Sequence, residues 1–254
     1  MAEISRSPIL VTGGARRLGL YNARALKQDG HAVIVTYRTE NDALETLQRE
    51  GIGTIKADFS SNENILAFIG RIQQETDSLR AIIHNASEFT PDTDSPLDTN
   101  TLTSLFQVHM MAPWMINRKL RPLLENCDSA ATDIIHMTDH NTRHGSATHA
   151  AYAATKAGLE NMTASLARLF APTTKVNAIA PHLIIMNEQD REAEKAGRIL
   201  IPPMGLAPGG RVIYQTVRFL LDNPYITGAT IPVDGGMNLT RLPLPTTRNC
   251  MDSQ

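Results

Sequence analysis

The chain reads as an α/β protein: seven short apolar runs of strand character alternate with helical patterns along its 254 residues. That alternation is the order a doubly wound parallel sheet with helices on both faces requires. Two further observations support it. The first apolar run closes on a glycine-rich turn, T-G-G-A-R-R-L-G, directly before a helical pattern. A second helical pattern, after the fifth run, carries Tyr152 and Lys156 four residues apart. Together they predict a single-domain, Rossmann-type, doubly wound seven-stranded parallel sheet. No internal repeat, low-complexity stretch or linker interrupts residues 1–240, which form the expected domain, with a lid over about 182–208 and a tail over 241–254.

Composition narrows the function classes. With 24 Lys and Arg against 26 Asp and Glu, the chain is nearly neutral and has no polybasic stripe, so neither nucleic acid nor a membrane surface is an expected partner. Cys127 and Cys250 make neither a disulfide framework nor a metal cluster. The H-x-x-x-H spacings at His136/His140 and His140/His144 cross a strand end and a loop, so no metal is expected. The first strand begins within eight residues, without a signal-type apolar region, and no run approaches membrane-spanning length. A cytoplasmic setting is expected.

Residues 8–11, P-I-L-V, are short, continuous and apolar, as a strand buried on both faces must be. After the turn, helical spacing runs to about Gly30. Backbone N–H groups bared by glycine, beside a helix N-terminus, suit a pyrophosphate. Arg17 stands where a further glycine of the phosphate-binding fingerprint is expected. Arg16 and Arg17 put cations beside the positive end of a helix dipole, which costs energy unless an anion is near. Otherwise they form a solvated helix start.

Residues 31–37 read as the second strand, followed by Arg38 and Thr39 where the adenosine ribose of a dinucleotide belongs. An acidic residue there would bond the free 2′-hydroxyl of NAD; a guanidinium and a hydroxyl suit a 2′-phosphate instead. NADPH is the expected cofactor, and Glu40 is the residue that argues against it. A helix over 41–50 and a strand over 54–57 lead to Asp58 and Phe59. Asp58 is placed either to accept from an adenine amine or to cap the helix beginning near Asn62.

The fourth strand, 80–84, ends in N-A-S-E-F. Asn85 and Ala86 are small enough for a cofactor to lie against the backbone, and Ser87 adds a hydroxyl. Phe89 is either ordinary packing or a flat surface for an aromatic ligand. A helical region from about Asn100 to Asn126 is expected to kink at Pro113. The fifth strand, over 134–137, delivers Asp139, and a sixth over 175–180 ends at Pro181. The irregular segment over 182–208 has the length of a lid or binding loop. A helix over 209–222 and a strand over 229–233 close the pattern, and the proline-bearing tail shows no element.

On a helix over 149–170, Tyr152 and Lys156 share one face. An ammonium near a phenol favours the phenolate, which makes the pair a proton donor and acceptor tuned toward neutral pH. Alone, Y-x-x-x-K is a weak signal.

With these pieces in order, the chain resembles the short-chain dehydrogenase/reductase family over nearly its whole length. The resemblance rests on T-G-G-A-R-R-L-G, H-N-A-S, Y-A-A-T-K, V-N-A-I-A-P and T-G-A-T-I-P-V-D-G-G in the family's order and spacing. It implies that Tyr152 is the catalytic acid/base, and that Lys156 holds the nicotinamide ribose and depresses the tyrosine pKa. The implied cofactor-binding set is Gly13, Arg16, Arg17, Leu18, Tyr37, Arg38, Thr39, Asp58, Phe59, Asn85, Ala86, Ser87, Thr138, Tyr152, Lys156 and Pro181.

Three departures from the family pattern are informative. Asp139 replaces a serine, Arg17 a glycine, and His109 the asparagine of the long fourth helix. The first two, with Ser87 and Phe89, resemble the pteridine reductase branch. That resemblance implies reduction of a 7,8-dihydropterin of the dihydromonapterin type, with weaker dihydrofolate reduction. The implied substrate-binding residues are Arg17, Ser87, Phe89, Asp139, Tyr152 and Leu183, with Asp139 joining Tyr152 and Lys156 in catalysis. Asp139 either accepts from ring nitrogens or, if protonated, helps deliver a proton; an ordered water is its rival. Asp139 and Tyr152 are expected to titrate as a coupled pair, and His109 to be a buried hydrogen-bonded histidine. A homotetramer is the family's usual assembly. The competing readings are a carbonyl reductase, for instance of 3-oxoacyl thioesters, and an NADPH sensor without turnover.

Overall fold

The structure is a computed structural model that describes residues 7–92, 99–186 and 201–239. Its first half runs β1 (Ile9–Val11), α1 (Arg17–Gln28), β2 (Val33–Tyr37), α2 (Ala43–Arg49), β3 (Gly53–Lys56), α3 (Asn62–Glu75) and β4 (Ala81–His84). The second half runs α4 (Asn100–Phe106), α5 (Ala112–Glu125), β5 (Thr132–Met137), α6 (Ala150–Phe170), β6 (Thr174–Pro181), α7 (Arg211–Asp222) and β7 (Thr230–Val233). The seven strands form one sheet in the order β3-β2-β1-β4-β5-β6-β7. Every pairing is parallel, as expected from the alternation of strands and helices. The strand order reverses between β1 and β4, and that switch point opens a crevice at the carboxyl ends of the strands.

The central strands are buried along their length because both faces are covered. Successive side chains leave the sheet on opposite faces. Leu10, Ile82, Ile134 and Val176 therefore pack with α3, α5 and α6 on one side. Ile9, Val11, Ile83 and Ile135 pack with α1, α2 and α7 on the other. The buried charges at the base of β5 are paired, whereas the buried Asn22 amide on α1 has no hydrogen-bond partner among the described residues. Arg80 Nη1 lies 2.6 Å from Asp133 Oδ2 and Lys175 Nζ 2.8 Å from Asp133 Oδ1, which ties the base of β5 to its neighbours.

A chain of hydrogen bonds runs His84 Nε2–H to Asn117 Oδ1 (2.6 Å), Asn117 Nδ2–H to His136 Nε2 (3.0 Å) and His136 Nδ1–H to Thr163 Oγ1 (2.8 Å). Thr163 gives its own proton to the Leu159 carbonyl, which fixes the direction of every link. Both rings are neutral: burial drops His84 to about 4, and burial, then His84 and Lys156, hold His136 well below the usual histidine range.

Element ends differ from the sequence reading by a residue or two, with larger differences at two places. The helical region after residue 100 is continuous but changes its winding before Pro113: Gln107–Met111 is a π-helical turn, and Pro113 lies in the first turn of α5. Ser61, not Asp58, caps α3, accepting from the Asn64 N–H at 3.2 Å. Most of the expected lid, residues 187–200, and the tail from 240 lie outside the described residues.

Candidate active site

The strand ends at the switch point build one cleft of about 530 Å³. Each residue expected from the sequence lines it. Gly13, Arg16, Arg17 and Leu18 come from the turn into α1; Tyr37, Arg38 and Thr39 follow β2; Asp58 and Phe59 follow β3. Asn85, Ala86, Ser87 and Phe89 follow β4, Thr138 and Asp139 follow β5, Tyr152 and Lys156 project from α6, Pro181 ends β6 and Leu183 follows it. The acid, the guanidinium and the benzyl group of Asp139, Arg17 and Phe89 thus share one opening despite their distance in sequence.

Tyr152 Oη donates to Asp139 Oδ2 at 3.2 Å. The other carboxylate oxygen accepts the Asn141 N–H at 2.8 Å and lies 3.2 Å from His140 Nδ1. Lys156 Nζ donates to the Met137 carbonyl at 2.8 Å and stands 5.7 Å from the tyrosine ring centre. Phe89, 65% exposed, stacks on His149 at 4.2 Å and meets the Tyr152 ring edge-on at 4.9 Å.

The electrostatics correct one expectation. Lys156 was expected to depress the tyrosine pKa; in this site Tyr152 is pushed well above the usual phenol range. Burial is the main cause, followed by the negative charge of Asp139 and the hydrogen bond to it. Burial also raises the Asp139 carboxyl. The His140 hydrogen bond, the Asn141 N–H and the charges of His140 and Lys156 outweigh that, and its pKa is lowered. Burial lowers Lys156 to about 8 against the pull of Asp139. At neutral pH the pair is a phenol donating to a carboxylate. Tyr152 is therefore a protonated phenol whose hydrogen is directed at Asp139, and Asp139 in this state is a hydrogen-bond acceptor.

Several groups are committed to the protein itself. The Asn85 amide donates to the Thr12 and Gly13 carbonyls at 3.1 and 3.0 Å, fastening β4 to the glycine turn. Asp58 accepts from the Ser60 N–H and hydroxyl at 3.1 and 2.8 Å. Phe59 is mostly a core residue, edge-on to Phe68. Glu40 lies 3.8 Å from Lys56 and does not bond Arg38. Arg38 instead meets Glu88, whose second oxygen accepts from Ser104. Glu88, His140, His149 and His182 were not singled out as site residues, because their participation depends on loop geometry that periodicity does not encode.

The residues fit a dinucleotide phosphate. The N-terminus of α1 has no side-chain cap and no acid in its first turn, which leaves its first backbone N–H groups without a side-chain acceptor where Arg16, Arg17, Leu18 and Gly19 line the cleft. A Cβ on Gly13 would stand 2.9 Å from the Ala86 Cα, so only glycine keeps this turn pressed against the end of β4. Arg17 takes a φ of +45°, the left-handed conformation for which glycine is the usual residue. Its Nη2 donates to the Ile185 carbonyl at 3.2 Å.

The fold, the glycine turn and the Tyr152/Lys156 pair define a class of protein: the chain belongs to the short-chain dehydrogenase/reductase family. A family model described as enoyl-(acyl carrier protein) reductase matches residues 13–238. Within the family, the chain is 45% identical over 240 residues to the dihydromonapterin reductase of Klebsiella pneumoniae, covering 94% of this chain and all of that one. It is 41% identical over 239 residues to the dihydromonapterin reductase of Escherichia coli strain CFT073, with the same coverage. Among solved structures, alternative dihydrofolate reductase 1 (FolM) of Brucella suis in complex with NADP superposes with a TM-score of 0.86. That pair is 26% identical and covers 95% of this chain and 98% of the other.

Proposed function

We propose that this protein uses NADPH to reduce a 7,8-dihydropterin of the dihydromonapterin type to the tetrahydropterin. The observation that carries the reading is the carboxylate of Asp139 at 3.2 Å from the Tyr152 hydroxyl, in a chain 41–45% identical to dihydromonapterin reductases. A ketone reductase needs a small hydroxyl where Asp139 stands; an acceptor suits the N–H groups of an aminopyrimidinone ring. NADPH, when bound, supplies the hydride, and Arg16, Arg17, Arg38 and Thr39 would hold its phosphates.

The chain's own groups do the rest. Tyr152, kept protonated by burial and by Asp139, is the acid that supplies the ring nitrogen's proton. Lys156 supports the ribose and balances the Asp139 charge. Phe89 offers a flat apolar surface at the mouth of the cleft, and Arg17 a guanidinium for the ring's acceptors. Dihydrofolate, with the same ring and a larger tail, is a slower substrate.

The assembly that suits this surface is a homotetramer built through α4, α5 and α6. Leu102, Phe106 and Trp114 lie 48%, 46% and 41% exposed along α4 and α5, an apolar patch of the kind subunits cover. Among the described residues no helix is long and apolar enough to cross a membrane, and the enzyme is expected to fractionate with cytoplasmic proteins.

The test is NADPH oxidation followed at 340 nm (the nicotinamide band) with dihydromonapterin, dihydrobiopterin, dihydrofolate, a simple ketone and a 3-oxoacyl thioester. Turnover of a dihydropterin well above the carbonyl substrates is expected. Turnover of the ketone or thioester alone would overturn the reading, and NADPH binding without any turnover would favour a sensor.

A further inference from the structure

We infer that His109 is a positioning residue that turns Ser87 into an obligate hydrogen-bond acceptor toward the substrate. The inference rests on the dihydropterin reading and specifies which face of the ring's hydrogen-bonding pattern Ser87 meets.

The directions follow from proton counting. Thr155, 3% exposed, donates its hydroxyl proton to the Tyr152 carbonyl at 2.8 Å. Its oxygen is then an acceptor for His109 Nδ1, 2.9 Å away, which must carry the ring's proton. His109 is 1% exposed, and burial, followed by the charge of Lys156, drops its pKa to about 2, so the ring has no second proton. Nε2 is therefore a bare lone pair. It accepts the Glu88 N–H at 3.2 Å and stands 2.9 Å from Ser87 Oγ, which can only donate to it. The other acceptors within reach of Ser87 are the Glu88 carbonyl, longer at 3.3 Å, and the Tyr152 phenol oxygen, to which the serine side chain also hydrogen-bonds. With any of the three acceptors the serine proton is used inside the protein. What Ser87 offers the cleft is an oxygen lone pair.

Two consequences follow for recognition. Ser87 selects a group that carries a hydrogen, such as an amino or ring N–H, and gives nothing to a carbonyl oxygen. The same Nε2 atom also fixes the backbone of Glu88, and with it the approach of Phe89. An asparagine, which this family usually has at the place of His109, is too short to reach both the α6 hydroxyl and the 87–88 backbone. The aminopyrimidinone edge of a dihydropterin has the required donors. A 3-oxoacyl thioester does not.

The test is a double-mutant cycle on the full-length enzyme, reading KM for dihydromonapterin, kcat, the NADPH Kd by fluorescence titration, and Tm. Loss of one positioned neutral hydrogen bond predicts that Ser87→Ala and His109→Phe each raise the dihydropterin KM about tenfold. For His109→Phe, the NADPH Kd should stay within about twofold, since His109 acts on the substrate side of Ser87. The double variant should be no worse than either single one, because both remove the same bond. His109→Gln, whose carbonyl reaches the Nε2 position, should recover most of the loss.

Additive losses, or equal losses in KM and NADPH affinity, overturn the inference and leave His109 a packing residue. Should His109→Phe not fold, Thr155→Val releases the tautomer lock while keeping the imidazole. Its KM effect must then vanish in the Ser87→Ala background, and an effect in both backgrounds overturns the inference. Wild-type enzyme without dihydropterin turnover removes the functional reading, and this inference with it; turnover with an additive cycle removes the inference alone.

Discussion

Tyr152 is a phenol that holds its proton, chiefly because it is buried and secondly because the carboxylate of Asp139 stands beside it, where the family usually has serine. The buried carboxylate and the loss of solvent act in the same direction on that proton. Tyr152→Phe removes the proton while leaving the apolar ring against Phe89. It is expected to lower kcat by about 10²–10⁴-fold, the usual contribution of a positioned acid, with NADPH binding kept. Unchanged turnover would mean that another group, such as an ordered water, carries the proton. Arg17 shows the cost of a functional side chain: its left-handed backbone costs about 1 kcal/mol relative to glycine. Its guanidinium lies in the cleft and on Ile185 in return. The identities of these residues were legible in the sequence. The protonation state of Tyr152 was not, because it depends on burial and on a contact thirteen residues back along the chain.

At the scale of elements, the strands were the easiest to read. Runs such as I-L-V in β1 and A-I-I-H in β4 are covered on both faces and carry no alternation to mistake. Their carboxyl ends then fixed where Arg38, Asp58, Ser87 and Asp139 emerge. The π-turn at Gln107–Met111 was not legible, since one extra residue in a helical turn leaves the apolar pattern almost unchanged. It lies where His109 must reach Ser87 and Thr155 at once. The caps were mixed. The sequence offers Asp58 either as an adenine contact or as the cap of α3; the cap is Ser61, and Asp58 bonds Ser60. The Arg38–Glu88 pair was likewise hidden, as it joins the ends of β2 and β4 across the crevice.

Across the whole molecule, three histidines are built into the fold as neutral rings: His84, His109 and His136, all under 5% exposed. Burial lowers each of them, His84 to about 4 and His109 to about 2, from an ordinary value of 6.5. The unfolded chain takes up protons as pH falls below that ordinary value, and the native state does not. Stability contributed by the neutral rings is therefore full above pH 6.5 and is lost as pH falls through the window toward the native pKa values. Each ring can contribute a slope of about 1.4 kcal/mol per pH unit within its window. Urea unfolding is expected to show a midpoint that holds near pH 7 and falls steadily from pH 6 to pH 5. A flat midpoint would contradict the neutral network.

Reduction of a dihydropterin in this cleft requires a flat ring held by groups from distant parts of the chain. A crystal structure of the complex with NADP and dihydromonapterin tests this most directly. The pterin ring is expected against Phe89, with Asp139 within hydrogen-bond distance of its N–H groups and Ser87 accepting from it. A ring bound away from Asp139 and Phe89, or one turned so that a carbonyl oxygen meets Ser87, would contradict it.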